Sequence, residues 1–352
     1  MPGRLKRLLA IGLACVAGYF LFWPVPFDPA RWASPPIARP AAEPVSFSAE
    51  SPWSVVGPGP EDITRGHDGL WYTGLDDGRI LALSQDGTSR VVATTGGRPL
   101  GVRQLPDGSL IVADAFKGLL RVDQAGSVSV LVDSVNGRRM VYPDAVDLAP
   151  DGTIWMSDAS ARNPHPKGAE FDFLEARPTG RLLQYDPAIG RITVALDSLD
   201  FANGVALGPD GAYVLVNETL SSRITRLWLT GPRAGSRDVF IQHLPGIPDN
   251  LSYDGAGMFW VALYGERTTE MNRVRSLSPM LRRILYRVPE RLRLSGVGKI
   301  GWVLGIDTAG VIRYNLVDRS GTTGPITSVI SDHESLYLGS LLDSTIRRIR
   351  KP

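Results

Sequence analysis

The chain has 352 residues, with 38 Lys and Arg against 36 Asp and Glu, a balance that offers no basis for nucleic-acid binding. Its one cysteine, Cys15, excludes an internal disulfide and any Cys-built metal site. A hydrophobic content of 43% suffices for a core, and 38 Gly with 27 Pro suit many short strands joined by tight turns.

In chain order, Arg4, Lys6 and Arg7 precede an uncharged apolar run from Leu8 to Trp23, which ends at Pro24-Val25-Pro26-Phe27. Residues 1–27 are read as an uncleaved transmembrane signal anchor. The run is near the short end for a spanning helix, and Phe20, Phe22, Trp23 and Phe27 suit an interfacial end. A cleaved signal peptide is the competing reading, but no good small-x-small site follows the run. A lipoprotein site at Cys15 fits worse, with Gly12 three places ahead of it and apolar residues continuing past it. Basic residues before the run and a long body after it place the body on the non-cytoplasmic side, periplasmic or extracellular. Residues 28–56 are rich in Pro, Ala and Ser and read as a linker lifting the body off the bilayer.

From there on the chain repeats itself. A turn followed by an alternating strand occurs at His67-Asp68-Gly69-Leu70-Trp71, Pro106-Asp107-Gly108-Ser109-Leu110, Pro150-Asp151-Gly152-Thr153-Ile154 and Pro209-Asp210-Gly211-Ala212-Tyr213. Weaker copies begin at Asp254-Gly255 and His333-Glu334. The Gly of each Asp-Gly supplies the positive φ that a tight hairpin requires, and the β-branched and aromatic residues after it suit a pleated surface. Six copies, most of them one four-stranded blade apart, predict an all-β chain: a six-bladed β-propeller over residues 57–352 behind an N-terminal transmembrane helix. A β-sandwich with chance Asp-Gly turns does not explain six similar copies.

Two insertions interrupt the repeat, at 160–178 and 265–296. The second holds eight arginines, from Arg267 to Arg293, around Met280, Leu281, Ile284, Leu285 and Val288, and the spacing from Leu281 to Ile284, Leu285 and Val288 is that of one helical face. It reads as a blade-capping helix with a solvated basic side or as an amphipathic segment touching anionic lipid.

A propeller gathers its functional groups at one mouth of the central channel, so polar residues just ahead of each repeated strand pair matter most. Four segments qualify: Gly59-Pro60-Glu61-Asp62-Ile63, Tyr142-Pro143-Asp144-Ala145-Val146, Phe201-Ala202-Asn203-Gly204-Val205 and Gly246-Ile247-Pro248-Asp249-Asn250-Leu251. If the strands they lead are innermost, their side chains point at the axis. Carboxylate and amide oxygens without His or Cys suit a hard cation, calcium above all.

These segments, with Gly97-Arg98-Pro99-Leu100-Gly101-Val102, Val112-Ala113-Asp114-Ala115-Phe116-Lys117-Gly118-Leu119, Gly180-Arg181-Leu182-Leu183 and Leu336-Tyr337-Leu338-Gly339-Ser340, resemble the strictosidine synthase-like proteins in order and spacing from Gly59 to about Arg350. More distantly the body is similar to the paraoxonases and to regucalcin and gluconolactonase, calcium-dependent lactone and ester hydrolases. The resemblance implies a calcium site at Glu61, Asp144 (an Asn in relatives), Asn203, Asp249 and Asn250. It also carries departures. Leu100 stands where paraoxonases place the His of a Pro-His-Gly motif, and Ala145 weakens any second calcium site. Ser328 stands where strictosidine synthase has its Glu, which argues against that condensation. His67, His165, His243 and His333 are read as structural or exposed.

The expected function is calcium-dependent hydrolysis of a small-molecule lactone or ester, of arylesterase or lactonase type. Asp249 or Asp144 would serve as base or nucleophile. The alternative is a non-catalytic, membrane-anchored binding or scaffold propeller.

Overall fold

A computed structural model describes residues 2–37, 42–53, 56–289 and 298–352. Helix α1 spans Pro2–Phe22. Six sheets of three to five strands follow, antiparallel apart from one parallel edge strand, with a small hairpin of Ser134–Val135 and Arg138–Arg139 beside them. The first strands of the six are Ile63–Arg65, Pro99–Gln104, Pro143–Leu148, Ala202–Leu207, Gly246–Tyr253 and Ser328–Asp332. Each first strand touches the first strand of the next sheet, and the sixth returns to the first. The six sheets are therefore the blades of a closed six-bladed propeller whose inner strands line one axis. All six repeated turns fall between an inner strand and the second strand of its blade. In the first five copies glycine occupies the left-handed position, as at Gly108 with φ 82°. In the sixth, His333 takes it with φ 46°, a conformation that costs a side-chain-bearing residue more than glycine.

The core sits between the blades, where each pair of facing sheets buries one layer of apolar side chains. One such layer joins Tyr213, Leu215 and Ile224 to Phe259, Val261, Leu304 and Ile306. Inside the channel a polar network ties blades together. Arg103 reaches Asp62 at 2.7 Å and Asp147 at 3.5 Å, and Asp147 accepts from the Leu207 amide at 2.8 Å. Each of these charges is thus paired where it leaves water.

Blade 6 contributes three strands of its own, and the stretch before the body runs along the outer edges of blades 5 and 6. Val45 and Ser46 add a parallel strand to blade 5 by pairing with Leu316 and Val317, Glu50 bridges Arg348 of blade 6, and the Val56 amide donates to the Ser344 carbonyl at 2.9 Å. Trp53 is buried, packs against Trp71 and Tyr337, and donates its indole N–H to the Ser84 carbonyl at 2.7 Å. The part of 28–56 nearest the body is therefore a ring-closing segment rather than a spacer, because an open edge on blades 5 and 6 needs a partner. Residues 38–41 and 54–55 of that stretch lie outside the described residues.

The insertions form helix α2 (Gly168–Glu175), helix α3 (Thr269–Ser276) and helix α4 (Pro279–Arg287). Thr268 and Ser278 cap α3 and α4 by accepting from the amides of Met271 and Leu281. The basic side of the second insertion is not simply solvated. Arg275, Arg282 and Arg287 are buried, whereas Met280 and Leu281 are exposed. The buried arginines carry the peptide groups of the chain between α1 and the body. Arg282 bonds to the Leu174 carbonyl at 2.7 Å and to that of Ala30, and Arg275 pairs with Asp200 at 2.6 Å while stacking on Trp32. Residues 290–296 of this insertion, with Arg291 and Arg293, lie outside the described residues.

Candidate metal and active site at the channel mouth

The residues singled out in the sequence sit where the inner strands begin, at one end of the channel. Three of them are placed by the same local device. Between Pro143 and Val146 of blade 3, three bonds of inner strand face only two of the neighbouring strand, Asp158 to Met156. The same bulge lies between Ala202 and Val205 and between Pro248 and Leu251. A bulge adds a residue and re-aims the side chains it carries, and the residues inside these bulges are Asp144-Ala145, Asn203-Gly204 and Asp249-Asn250. Blade 2 has its bulge between Pro99 and Gly101, and the residue inside is Leu100.

Glycine makes these bulges fit together. A Cβ on Gly204 would stand 2.6 Å from the Asn250 Cα and 2.7 Å from the Asp249 carbonyl oxygen. Only glycine permits that approach, so blades 4 and 5 meet directly at their candidate ligands. The backbones carrying the ligands are pinned by polar side chains. Asn217 donates to the Asp249 carbonyl at 2.6 Å and Thr219 to the Pro248 carbonyl at 2.8 Å. Thr327 donates to the Glu61 carbonyl at 2.8 Å, and Ser157 accepts from the Ala145 amide at 2.9 Å.

Glu61, Asp144, Asn203, Asp249 and Asn250 are all buried. One oxygen each of Glu61, Asp144, Asn203 and Asp249 lacks a hydrogen-bond partner. Buried oxygens of this kind are costly to leave unpaired. Desolvation, opposed by Arg98 and reinforced by Asp62, pushes the Glu61 carboxyl up from 4.5 to about 7. Burial first, then the charges of Glu61 and Asp249, raises Asp144 well above the ordinary carboxylate range. Asp249 is raised likewise by burial and by Glu61, against a hydrogen bond from Asn203 that lowers it. Part of the shift at Asp144 and at Asp249 comes from the charges of the neighbouring candidate carboxyls. The donor set is all oxygen, which fits a hard divalent cation. Among the described residues no group of three or more His, Cys, Asp or Glu stands close enough to hold a metal ion by itself.

Four further groups belong to this mouth and were not assigned a role from sequence. Arg98 is 1% exposed, donates to the Gly59 carbonyl at 3.0 Å, and leaves Nε and Nη1 without a hydrogen-bond acceptor. Its Nε lies 3.5 Å from Asp76, and its charge acts on Glu61 and Asp144. Tyr142 is raised well above its ordinary pKa by burial and by Asp144, Glu61 and Asp249, and its hydroxyl stands 3.0 Å from His165 Nδ1. Tyr264, on the second strand of blade 5, feels Asp249 and Glu61. Ser328 opens the inner strand of blade 6 with a buried Oγ that lacks a partner.

His165 belongs with these groups rather than with the exposed histidines. Burial and the Arg98 charge bring it down to about 4, so it is neutral at physiological pH. His333, by contrast, has a side chain 81% exposed. A bulged strand start next to a buried arginine was the available signal for Arg98; nothing in the spacing of the first insertion pointed to His165.

The family model for the SMP-30/Gluconolactonase/LRE-like region matches residues 59–290. The chain belongs to that family. Strictosidine synthase-like protein 4 of Arabidopsis thaliana is 36% identical over 303 residues, covering 82% of this chain and 78% of that protein. The adipocyte plasma membrane-associated protein of Mus musculus is 32% identical over 383 residues, covering 99% of this chain and 91% of the relative. Within the SMP-30/gluconolactonase family it therefore falls on the strictosidine synthase-like side. Among solved structures, a gluconolactonase from Xanthomonas campestris superposes with a TM-score of 0.63 at 17% identity, covering 92% of this chain and 99% of the other. Regucalcin from Agrobacterium tumefaciens, described as a calcium-binding protein, superposes with a TM-score of 0.61 at 16% identity, covering 88% and 97%. At those identities the likeness is one of fold, and the fold is the lactonase-type propeller.

Proposed function

We propose that this propeller is a membrane-anchored hydrolase of lactones or esters that depends on a divalent cation, calcium in the first instance. The carrying observation is the set of buried, unpartnered oxygens on Glu61, Asp144, Asn203 and Asp249 at the start of four inner strands. Gluconolactonase and regucalcin as fold neighbours support the reaction class and the cation. The apolar helix Gly3–Phe22, long enough by length and composition to cross a membrane, supports the anchor, with the body on the non-cytoplasmic side.

Glu61, Asp144, Asn203 and Asp249, with Asn250 beside them, would hold the cation, whose charge polarises an acyl carbonyl. The protein's own contribution is orientation and proton transfer. The Arg98 Nη1 group, which has no acceptor of its own, is a donor available to the oxygen that gains charge during acyl transfer. Asp144 or Asp249 takes a proton from water as its oxygen bonds to the acyl carbon. The acyl–oxygen bond then breaks, and the same carboxyl returns the proton to the leaving alkoxide. Neutral His165 and Tyr142 close the first insertion over this mouth.

A panel of aryl esters and lactones, assayed with calcium and with chelator, tests the reading. Turnover that chelator abolishes and Asp249→Ala removes is the expected result. Calcium binding without turnover would instead favour a non-catalytic propeller, the reading that Leu100 in the blade 2 bulge supports. No calcium binding at all would remove the site.

A further inference from the structure

We propose that the face of the propeller carrying this mouth lies against the bilayer, with Met280 and Leu281 of α4 seated in the lipid interface; the inference rests on α1 being a membrane anchor. Strand polarity decides which loops share the mouth face. The last residue of each second strand pairs near the first of its inner strand, as in Pro143 with Asp158 and Gly246 with Glu266. Every connection from second to third strand is therefore on the mouth side, and both helical insertions are such connections.

The junction between α1 and the body is fixed on that same side. Arg287 of α4 donates to the Phe20 carbonyl at 2.6 Å and through Nε to the Trp23 carbonyl at 2.7 Å, and Tyr19 donates back to the Arg287 carbonyl at 3.2 Å. Phe27 stacks on Phe171 of α2 and meets Tyr286 of α4 edge-on, with centroids 6.0 and 5.0 Å apart. Asp28 pairs with Arg177 and Arg283, each at 2.9 Å. Residues 3–17 stand exposed beyond this joint. A helix held at its last turn by α4, with Phe27 and Asp28 just beyond it held by both insertions, sets the attitude of the whole body, which a Pro-rich tether would leave free.

The exposed apolar side chains fit that attitude. In α4 the usual arrangement is inverted, with Arg282 and Arg287 inward and Met280 and Leu281 55% and 48% exposed. Leu342, in the second-to-third connection of blade 6, is 67% exposed, and Phe116, in that of blade 2, is 46% exposed. These groups stand on the side where Trp23 ends the apolar helix, 61% exposed itself. Exposed Met and Leu beside partly exposed Arg162, Arg177 and Arg283 make a mixed apolar and basic surface, which suits the interface of a bilayer carrying anionic lipid. The site is thereby presented to molecules dissolved in the membrane.

The test uses the full chain in phosphatidylcholine vesicles containing a minor share of phosphatidylglycerol. Leu13→Cys, Leu281→Cys, Leu342→Cys and Val311→Cys are each made in a Cys15→Ser background and labelled with an environment-sensitive fluorophore. Nitroxide-bearing acyl chains then report contact with lipid. Quenching at positions 13, 281 and 342, with none at 311 on the opposite face, is expected. Quenching at 13 but not at 281 and 342 would overturn the orientation while leaving the anchor intact. No quenching at 13 would overturn the anchor and the orientation with it. All four positions are exposed, so labelling leaves the core untouched, and a paired Met280→Asp, Leu281→Asp variant is expected to lower quenching at 342.

Discussion

Glu61 is a carboxyl that the fold keeps protonated up to about pH 7, against an ordinary value of 4.5. Without cation, the folded chain therefore holds a proton that the unfolded chain releases above that ordinary value. Stability falls as pH rises through this window, and Asp144 and Asp249 act in the same direction. A cation that binds the ionised carboxylates opposes the loss. In chelator, thermal unfolding should move to lower temperature between about pH 5 and about pH 7.5, and calcium should restore more at the higher pH. A calcium effect independent of pH would show that these carboxyls do not bind it. Asn217 acts one step further out, through its bond to the Asp249 carbonyl. Asn217→Ala should weaken calcium by about 10- to 100-fold in calorimetric titration while the fold persists.

At the scale of elements, the bulged inner strands are the parts that convert a sheet into a site. Gly204 lets the bulges of blades 4 and 5 approach, and the groups its Cβ would meet are backbone atoms. Gly204→Ala should cost about 1–3 kcal/mol in denaturant unfolding, as overpacking does, and should weaken calcium as well. The inserted helices depend on a different contact. Arg275 and Asp200 form a buried pair at 2.6 Å, and Arg275 also bonds to the Leu220 carbonyl. Arg275→Met leaves Asp200 buried without its counter-charge, at a cost of about 3–5 kcal/mol. Asp200→Asn should cost less, because an amide in that place carries no uncompensated charge.

For the whole molecule, closure of the ring is the feature on which the rest depends. Residues 45–53 and Val56 run along the edges of blades 5 and 6, and Trp53 packs on both Trp71 and Tyr337, which also touch each other. A chain beginning at residue 58 should aggregate on refolding, since it leaves unpaired strand edges and an uncovered aromatic cluster. A chain beginning at residue 42 keeps the closing segment and should refold to a folded propeller by circular dichroism. If both behaved alike, ring closure would not depend on this stretch.

The six repeated Asp-Gly and related turns made the propeller readable from sequence, because hairpin geometry and strand alternation are local properties of the chain. The oxygen-bearing residues at strand starts were readable for the same reason, since their position relative to each turn repeats. Three matters needed the folded molecule. Arg98 and Tyr142 act on the carboxylates, and His165 on Tyr142, from different connections, and only the order of blades around the axis brings them together. The sequence reading of the second insertion left its basic side to solvent or to anionic lipid, whereas Arg275, Arg282 and Arg287 turn inward to carbonyls and to Asp200. The stretch before the body looked like a spacer, because Pro, Ala and Ser show no periodicity; its role comes from edges of blades 5 and 6 that lie far along the chain. Local patterns thus specified the blades and their candidate ligands. The side chains that surround those ligands, and the closure of the ring, were decided by contacts between residues distant in sequence, where burial and unsatisfied hydrogen bonds choose the partners.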